Sequence, residues 1–194
     1  AGTRSAHGEN ADGLQTGSAY VFRAVADCYD YELVQFCNRK KWVQEAQFFP
    51  TEPLGHEKFG ASISAYADRI AVGAPGTLGG EGAVYVYEYK YDIDSWFRVG
   101  KYTASVWVPE LNDEFGYDVA LLDDTLVVGT PGRNNNTGIV FIFRYARGVF
   151  VATQELYLPP DLYRTEEGDR FGCSVAIDGD LIVVGACGYD DSTI

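Results

Sequence analysis

The chain repeats itself, and the step of the repeat is 56 residues: Phe59-Gly60, Phe115-Gly116 and Phe171-Gly172 stand at that interval. A second anchor keeps the same step, as Val72-Gly73-Ala74-Pro75, Val128-Gly129-Thr130-Pro131 and Val184-Gly185-Ala186-Cys187. In every copy 14 residues separate the phenylalanine from the second anchor's glycine. A period of this length with fixed internal spacing marks a repeat architecture, in which one supersecondary unit buries its faces against copies of itself.

Two further segments recur. Residues 18–23 (SAYVFR) match 83–88 (AVYVYE) and 139–144 (IVFIFR), and a looser segment at 42–45 (WVQE) matches 96–99 and 150–153. The unit therefore has four strands. Asp123-Asp124 and Asp178-Gly179 suit tight hairpins between the first two, and Gly82 and Gly138 open the third. Side chains alternate across a strand, so Tyr85, Tyr87 and Tyr89 share one face while Val84 and Val86 take the other. Both faces are apolar, and such a sheet must be covered on both sides, most simply by its own neighbours. That describes a blade of a β-propeller. A two-sheet sandwich accounts for short, regularly spaced strands but gives no reason for a whole-unit repeat.

Phe-Gly, then Val-Gly-Ala-Pro, then Gly-x-Val-Tyr-Val-Tyr at this spacing resembles the FG-GAP repeat of integrin α-subunit propellers and their relatives. The resemblance covers residues 59–194 and, in part, 1–58. It implies an all-β fold, a propeller of four-stranded antiparallel blades, with adhesion, ligand binding or enzyme-accessory roles. The expected division of the single propeller segment 1–194 is a partial blade at 1–52, blades at 53–108 and 109–164, and a partial blade at 165–194. Joined, the partial blades bring the total to three, where propellers use about four to eight. The expectation is an incomplete ring, either a piece of a larger propeller or a subunit whose blades another copy completes. Repeats of this family often carry a calcium loop, Asp-x-Asp-x-Asp-Gly, between the first two strands. Here those connections are Ala67-Asp68, Asp123-Asp124 and Asp178-Gly179-Asp180, too short to supply the oxygens calcium takes. The longer connection at 9–13 is the remaining candidate for calcium, with Glu9, Asn10 and Asp12 as ligands. No other cofactor is expected.

A formal net charge of −13 repels phosphate backbones and anionic lipid, so nucleic acid is excluded as a partner. No apolar run is long enough to span a membrane. Methionine is absent, including from position 1, which suggests a processed product or a segment of something longer. Four cysteines suggest disulfides and an extracellular or cell-surface setting. Cys173 and Cys187 fall in one copy, on strands that should be hairpin partners, and Cys28 and Cys37 lie in an insertion that lengthens the leading hairpin. Local pairings follow, with buried free thiols as the alternative. A tight Asp178-Gly179 turn puts the first pair off direct register, so a bulge is needed. The sequon Asn135-Asn136-Thr137 marks Asn135 for glycosylation in the same setting.

Acidic residues stand two places before each Phe-Gly: Glu57, Asp113 and Asp169. They read either as a repeated cation site or as carboxylates that accept backbone N–H groups in the turn, which short acidic side chains do routinely. The histidines are His7 and His56, both in loop contexts, and no serine or cysteine sits in a nucleophile motif. The glycine-rich stretch at 76–80 lacks the lysine of a phosphate loop. The stripe of Tyr85, Tyr87 and Tyr89, matched by Phe141, Phe143 and Tyr145, reads as blade-to-blade core rather than as a stacking platform. The sequence thus points to a secreted, non-enzymatic module for protein–protein contact, in adhesion or in self-assembly as a homo-oligomer or filament by blade completion. The alternative is a carbohydrate-binding or hydrolase-associated propeller domain.

Overall fold

The computed structural model describes residues 16–31, 34–50, 55–104, 110–158 and 167–189, the side chains of 29–38 apart. Its strands run antiparallel in four sheets. The first is a long hairpin of β1 (Ala19–Tyr31) and β2 (Val34–Phe48). The second is a meander of β3 (Ser62–Tyr66), β4 (Arg69–Ala74), β5 (Ala83–Lys90) and β6 (Ser95–Tyr102). The third repeats it as β7 (Val119–Leu122), β8 (Thr125–Thr130), β9 (Ile139–Ala146) and β10 (Val149–Leu156). The last pairs β11 (Phe171–Asp178) with β12 (Leu181–Ala186). The fold is an all-β propeller segment of four-stranded blades, with an incomplete ring.

Each first hairpin closes through a two-residue turn whose leading residue takes a left-handed conformation: Ala67 (φ 51°), Asp123 (φ 50°) and Gly179 (φ 54°). In the last copy alone a glycine stands there, the residue that adopts this region without strain. Between the third and fourth strands a register slip recurs in every copy, at Val21/Phe22, at Val86/Tyr87 and at Ala152/Gln154, the last facing Ile142 and Phe143, and the longer β1–β2 hairpin carries a second at Asp27/Tyr29. The recurring slips fall on equivalent residues, so the bulge belongs to the repeating unit.

The inner strands bury both of their faces. Val84 and Val86 pack with Phe115, Phe141 and Phe143 of the following copy, while Tyr85 and Tyr87 pack on the other side with Phe48 and Phe59. Phe48 lies flat on Tyr87 with ring centres 3.9 Å apart. The aromatic stripe is therefore blade-to-blade core, each such ring contributing on the order of 1.5–3 kcal/mol by leaving water. Burial pushes the Tyr87 phenol up to about 12. The fourth strands β6 and β10 expose half of their side chains.

Adjacent copies are joined backbone to backbone. Phe59 N donates to Thr16 O at 2.9 Å, Phe115 N to Glu81 O at 3.1 Å and Phe171 N to Thr137 O at 2.8 Å. In each case the residue facing the phenylalanine is the glycine that opens the third strand: Gly17, Gly82 and Gly138. A Cβ on Gly82 would stand 2.2 Å from Phe115 O. The glycine of the Val-Gly anchor meets the glycine of the next copy's Phe-Gly, and a Cβ on Gly129 would lie 2.0 Å from Gly172 O. Gly129→Ala is accordingly expected to lower the unfolding free energy by about 3 kcal/mol, by overpacking alone. Gly148, where an added Cβ would meet nothing within 4 Å, should cost about 1 kcal/mol on the same change, through its positive φ. Paired urea titrations check this, and equal losses at the two sites would contradict the packing account.

Candidate interaction surface

Two strands whose counterparts are inner strands of the complete sheets lie at an edge among the described residues. β1 pairs only with β2, and β12 only with β11. By the 56-residue step β12 corresponds to β4 and β8, and the match of residues 18–23 with 83–88 and 139–144 sets β1 in the place of β5 and β9. In the complete sheets those edges are joined, Arg69 facing Glu88 through Ala74 facing Ala83, and Thr125 facing Arg144 through Thr130 facing Ile139. The difference shows in burial. Ala71 and Val127 are fully buried, whereas Val183 at the same place is 56% exposed and Leu181 is 63% exposed. An apolar strand with free N–H and C=O groups is a template for another strand.

A cleft of about 320 Å³ opens beside the β1 edge, between the β1–β2 hairpin and the ends of β3, β4 and β5. Phe22, Trp42, Tyr89, Tyr91 and Trp96 form its aromatic walls, and Arg23, Glu45 and Asp68 bring charge into it. Arg23 donates through Nη2 to Glu45 Oε1 at 2.8 Å and through Nε to Glu45 Oε2, and Trp96 Nε1 also donates to Glu45. The Arg23 guanidinium stands 4.8 Å from the centre of the Tyr89 ring. Its hydrogen bonds hold the Glu45 carboxyl below the usual range. That contact is therefore complete above the ordinary glutamate pKa and is lost as pH falls through the depressed folded value. Tyr89 Oη donates to Asp94, which raises the phenol.

One copy along, the same junction is filled. Arg69 Nη1 lies 3.4 Å from Asp124 Oδ1, and its guanidinium sits 3.8 Å from the centre of the Tyr145 ring. Glu114 and Arg170 make a further bridge between copies, at 2.7 Å. Sequence reading took Asp124 as a turn residue and Tyr145 as core. The signal that locates the junction is the 56-residue step, which sets Asp124 and Tyr145 in the places of Asp68 and Tyr89.

The acids before each Phe-Gly are buried. Their carbonyls accept from the glycine after the second anchor: Gly76 N to Glu57 O at 2.9 Å, Gly132 N to Asp113 O at 3.1 Å and Gly188 N to Asp169 O at 3.0 Å. The Asp113 carboxylate accepts from Glu110 N at 2.9 Å and pairs with Arg133. At Asp113 the turn-holding reading is therefore what the structure displays, with an ion pair that the sequence did not announce. His56 is exposed at φ 60° in the first of these turns. Among the described residues no three of His, Cys, Asp or Glu are grouped to hold a metal ion. Glu9, Asn10, Asp12 and His7 lie outside the described residues.

Cys173 and Cys187 form a disulfide, with Cα atoms 6.1 Å apart. Phe171 faces Ala186 but Ser174 faces Gly185, so the strand carries the bulge the pairing needs. Cys28 is disulfide-bonded, and the Cys37 side chain lies outside the described residues. Asn135 is exposed, and its Nδ2 donates to Glu167 Oε1 at 3.0 Å.

A family model for the FG-GAP repeat matches residues 42–87, 96–143 and 165–193, well over half of the chain. No curated protein matches it. The bridged cysteines stand 14 residues apart, a loop whose closure stabilises by about 3 kcal/mol through the unfolded state. Replacing both Cys173 and Cys187 with serine should lower the unfolding free energy in a denaturant titration by about that much. An unchanged midpoint, or labelling of these two residues by a thiol reagent in the unreduced chain, would count against the bridge.

Proposed function

The chain belongs to the FG-GAP repeat family, and from that premise we propose that it is a non-enzymatic extracellular module that joins other polypeptides by strand addition. The observation that carries this reading is the pair of open edges, which are complementary to one another. Among the described residues β12 is a second strand with no third, and β1 is a third strand with no second. Carrying over the register of β4 with β5 and of β8 with β9 sets Leu181 opposite Arg23, Ile182 opposite Phe22 and Ala186 opposite Ser18. A contact of this head-to-tail kind between copies builds closed rings or open filaments. The net charge of −13 keeps unassembled copies apart and soluble. The Cys173–Cys187 bridge and the exposed Asn135 sequon support an oxidising, secreted setting. The non-enzymatic reading is supported by how carboxylates are used: Asp113, Asp124 and Glu114 each hold an arginine across a turn or between copies.

Cysteines at the facing positions test the edge pairing. A chain carrying Ile182→Cys together with Phe22→Cys is expected to form interchain disulfides on mild oxidation, in a ladder of multiples of the 21.3 kDa chain on a non-reducing gel. Moving the second cysteine three residues along β1, as Val25→Cys, should abolish the ladder. Equal ladders from both pairs, or none from either, would sink edge pairing between copies.

A further inference from the structure

We propose that Glu57 and Thr77 form a buried binding site for one monovalent cation of the sodium or potassium class. The inference is independent of strand addition, because it compares two complete sheets inside the chain. The turns before Phe59 and before Phe115 share one backbone. Gly76 N donates to Glu57 O at 2.9 Å where Gly132 N donates to Asp113 O at 3.1 Å. Gly82 N donates to Thr77 O at 3.0 Å where Gly138 N donates to Arg133 O at 2.9 Å. Gly76 (φ −87°, ψ −4°) and Gly132 (φ −80°, ψ −15°) take the same conformation. Residues 77 and 133 therefore leave the main chain in the same direction, which in the second copy is toward the acid.

What stands on that frame differs. In the second copy Arg133 pairs with Asp113, side chains 13% and 1% exposed, so the carboxylate's charge is cancelled inside the fold. In the first copy the carboxylate is kept, as Glu57 at 1% exposure, but Thr77 at 2% replaces the arginine. Glu57 has an interaction of its own, yet its Oε2 is buried with no hydrogen-bond partner, and so is the Thr77 hydroxyl oxygen. Buried oxygens left in this way are costly, and a buried negative charge is the costliest of them. Neither residues 47–55 (QFFPTEPLG) nor residues 76–82 (GTLGGEG) contain a lysine or arginine, and the flanking His56 and Lys58 are exposed. Arg133 brings one unit of positive charge to its copy, so a monovalent ion balances Glu57 where a divalent ion leaves an excess. A carboxylate and a hydroxyl are oxygen donors, which suit hard cations.

Thermal melting of the full chain in sodium, potassium and choline chloride at one ionic strength, with a chelator present to remove divalent ions, tests the site. The melting temperature is expected to be about 3 °C higher in ~0.15 M sodium or potassium than in choline, a cation too large to enter. Glu57→Gln should abolish that difference. Thr77→Arg, which supplies the counterpart of Arg133, should abolish it too while keeping the melting temperature at or above the sodium value. A solely structural role for Glu57 lowers stability equally in all three salts and leaves the difference in place. Equal melting temperatures in the three chlorides overturn the inference without any variant, since a water or a proton at the site is indifferent to the cation supplied. A sodium or potassium preference that survives either substitution overturns it as well, by placing the ion elsewhere. Either variant decides alone if the other fails to fold.

Discussion

The structure depends on how closely the backbones of neighbouring copies approach. Gly73 lies against Gly116, and Gly129 against Gly172, at separations that leave no room for a Cβ. At the same level Gly82 and Gly138 accept the backbone of Phe115 and Phe171. These contacts set the spacing at which Val84, Val86, Phe115, Phe141 and Phe143 close into one core. A methyl group at any of these glycines would part the sheets before the aromatic rings could meet, and native packing density leaves little slack to absorb it. The two anchors of the repeat are thus two sides of one joint, each copy supplying its Phe-Gly to the blade before and its Val-Gly to the blade after.

A joint of this kind repeats from copy to copy, so that each copy contacts its neighbours in the same way. The middle copies show what a satisfied interface looks like: second strand paired to third, valines buried on both faces, and a cation lodged between a carboxylate and a ring. The outer copies show its parts separated. Val183 is exposed where Val127 is buried, and Asp68 with Tyr89 frames a cleft where Asp124 with Tyr145 holds Arg69. The contacts that join the middle copies thus have counterparts beside β1 and β12 that lack the second-to-third strand pairing among the described residues.

Much of the fold was legible because glycine, proline and alternating aromatic residues recur at a fixed step. The four-strand unit, the blade-to-blade role of Tyr85 and Tyr87, and the bulge demanded by Cys173 and Cys187 all follow from that pattern. A period alone does not say whether two anchors touch within one copy or across two, so the meeting of Gly129 with Gly172 was hidden. The turns before each Phe-Gly hold left-handed residues that are not glycine, among them Lys58, Asn112, Glu114 and Arg170, with no composition signal to mark them. The glycine-rich stretch after Pro75, read as a plain loop, contains one short helical turn, Thr77–Gly80, broken by positive φ at Leu78 and Gly79. Polar partners were the least visible. Arg133, which pairs with Asp113, has Thr77 and Tyr189 as counterparts, and Arg69 has Thr125 and Leu181, so neither arginine recurs with the period, although the acid each one meets does.

The most direct measurement is the solution mass of the unreduced chain by light scattering over a wide concentration range, together with hydrogen exchange along β1 and β12. Completion of blades between copies requires a mass that climbs through multiples of 21.3 kDa with concentration, and amides of β12 that become protected as it climbs. A mass fixed at one chain throughout, with β12 amides exchanging at the same rate at every concentration, would contradict it.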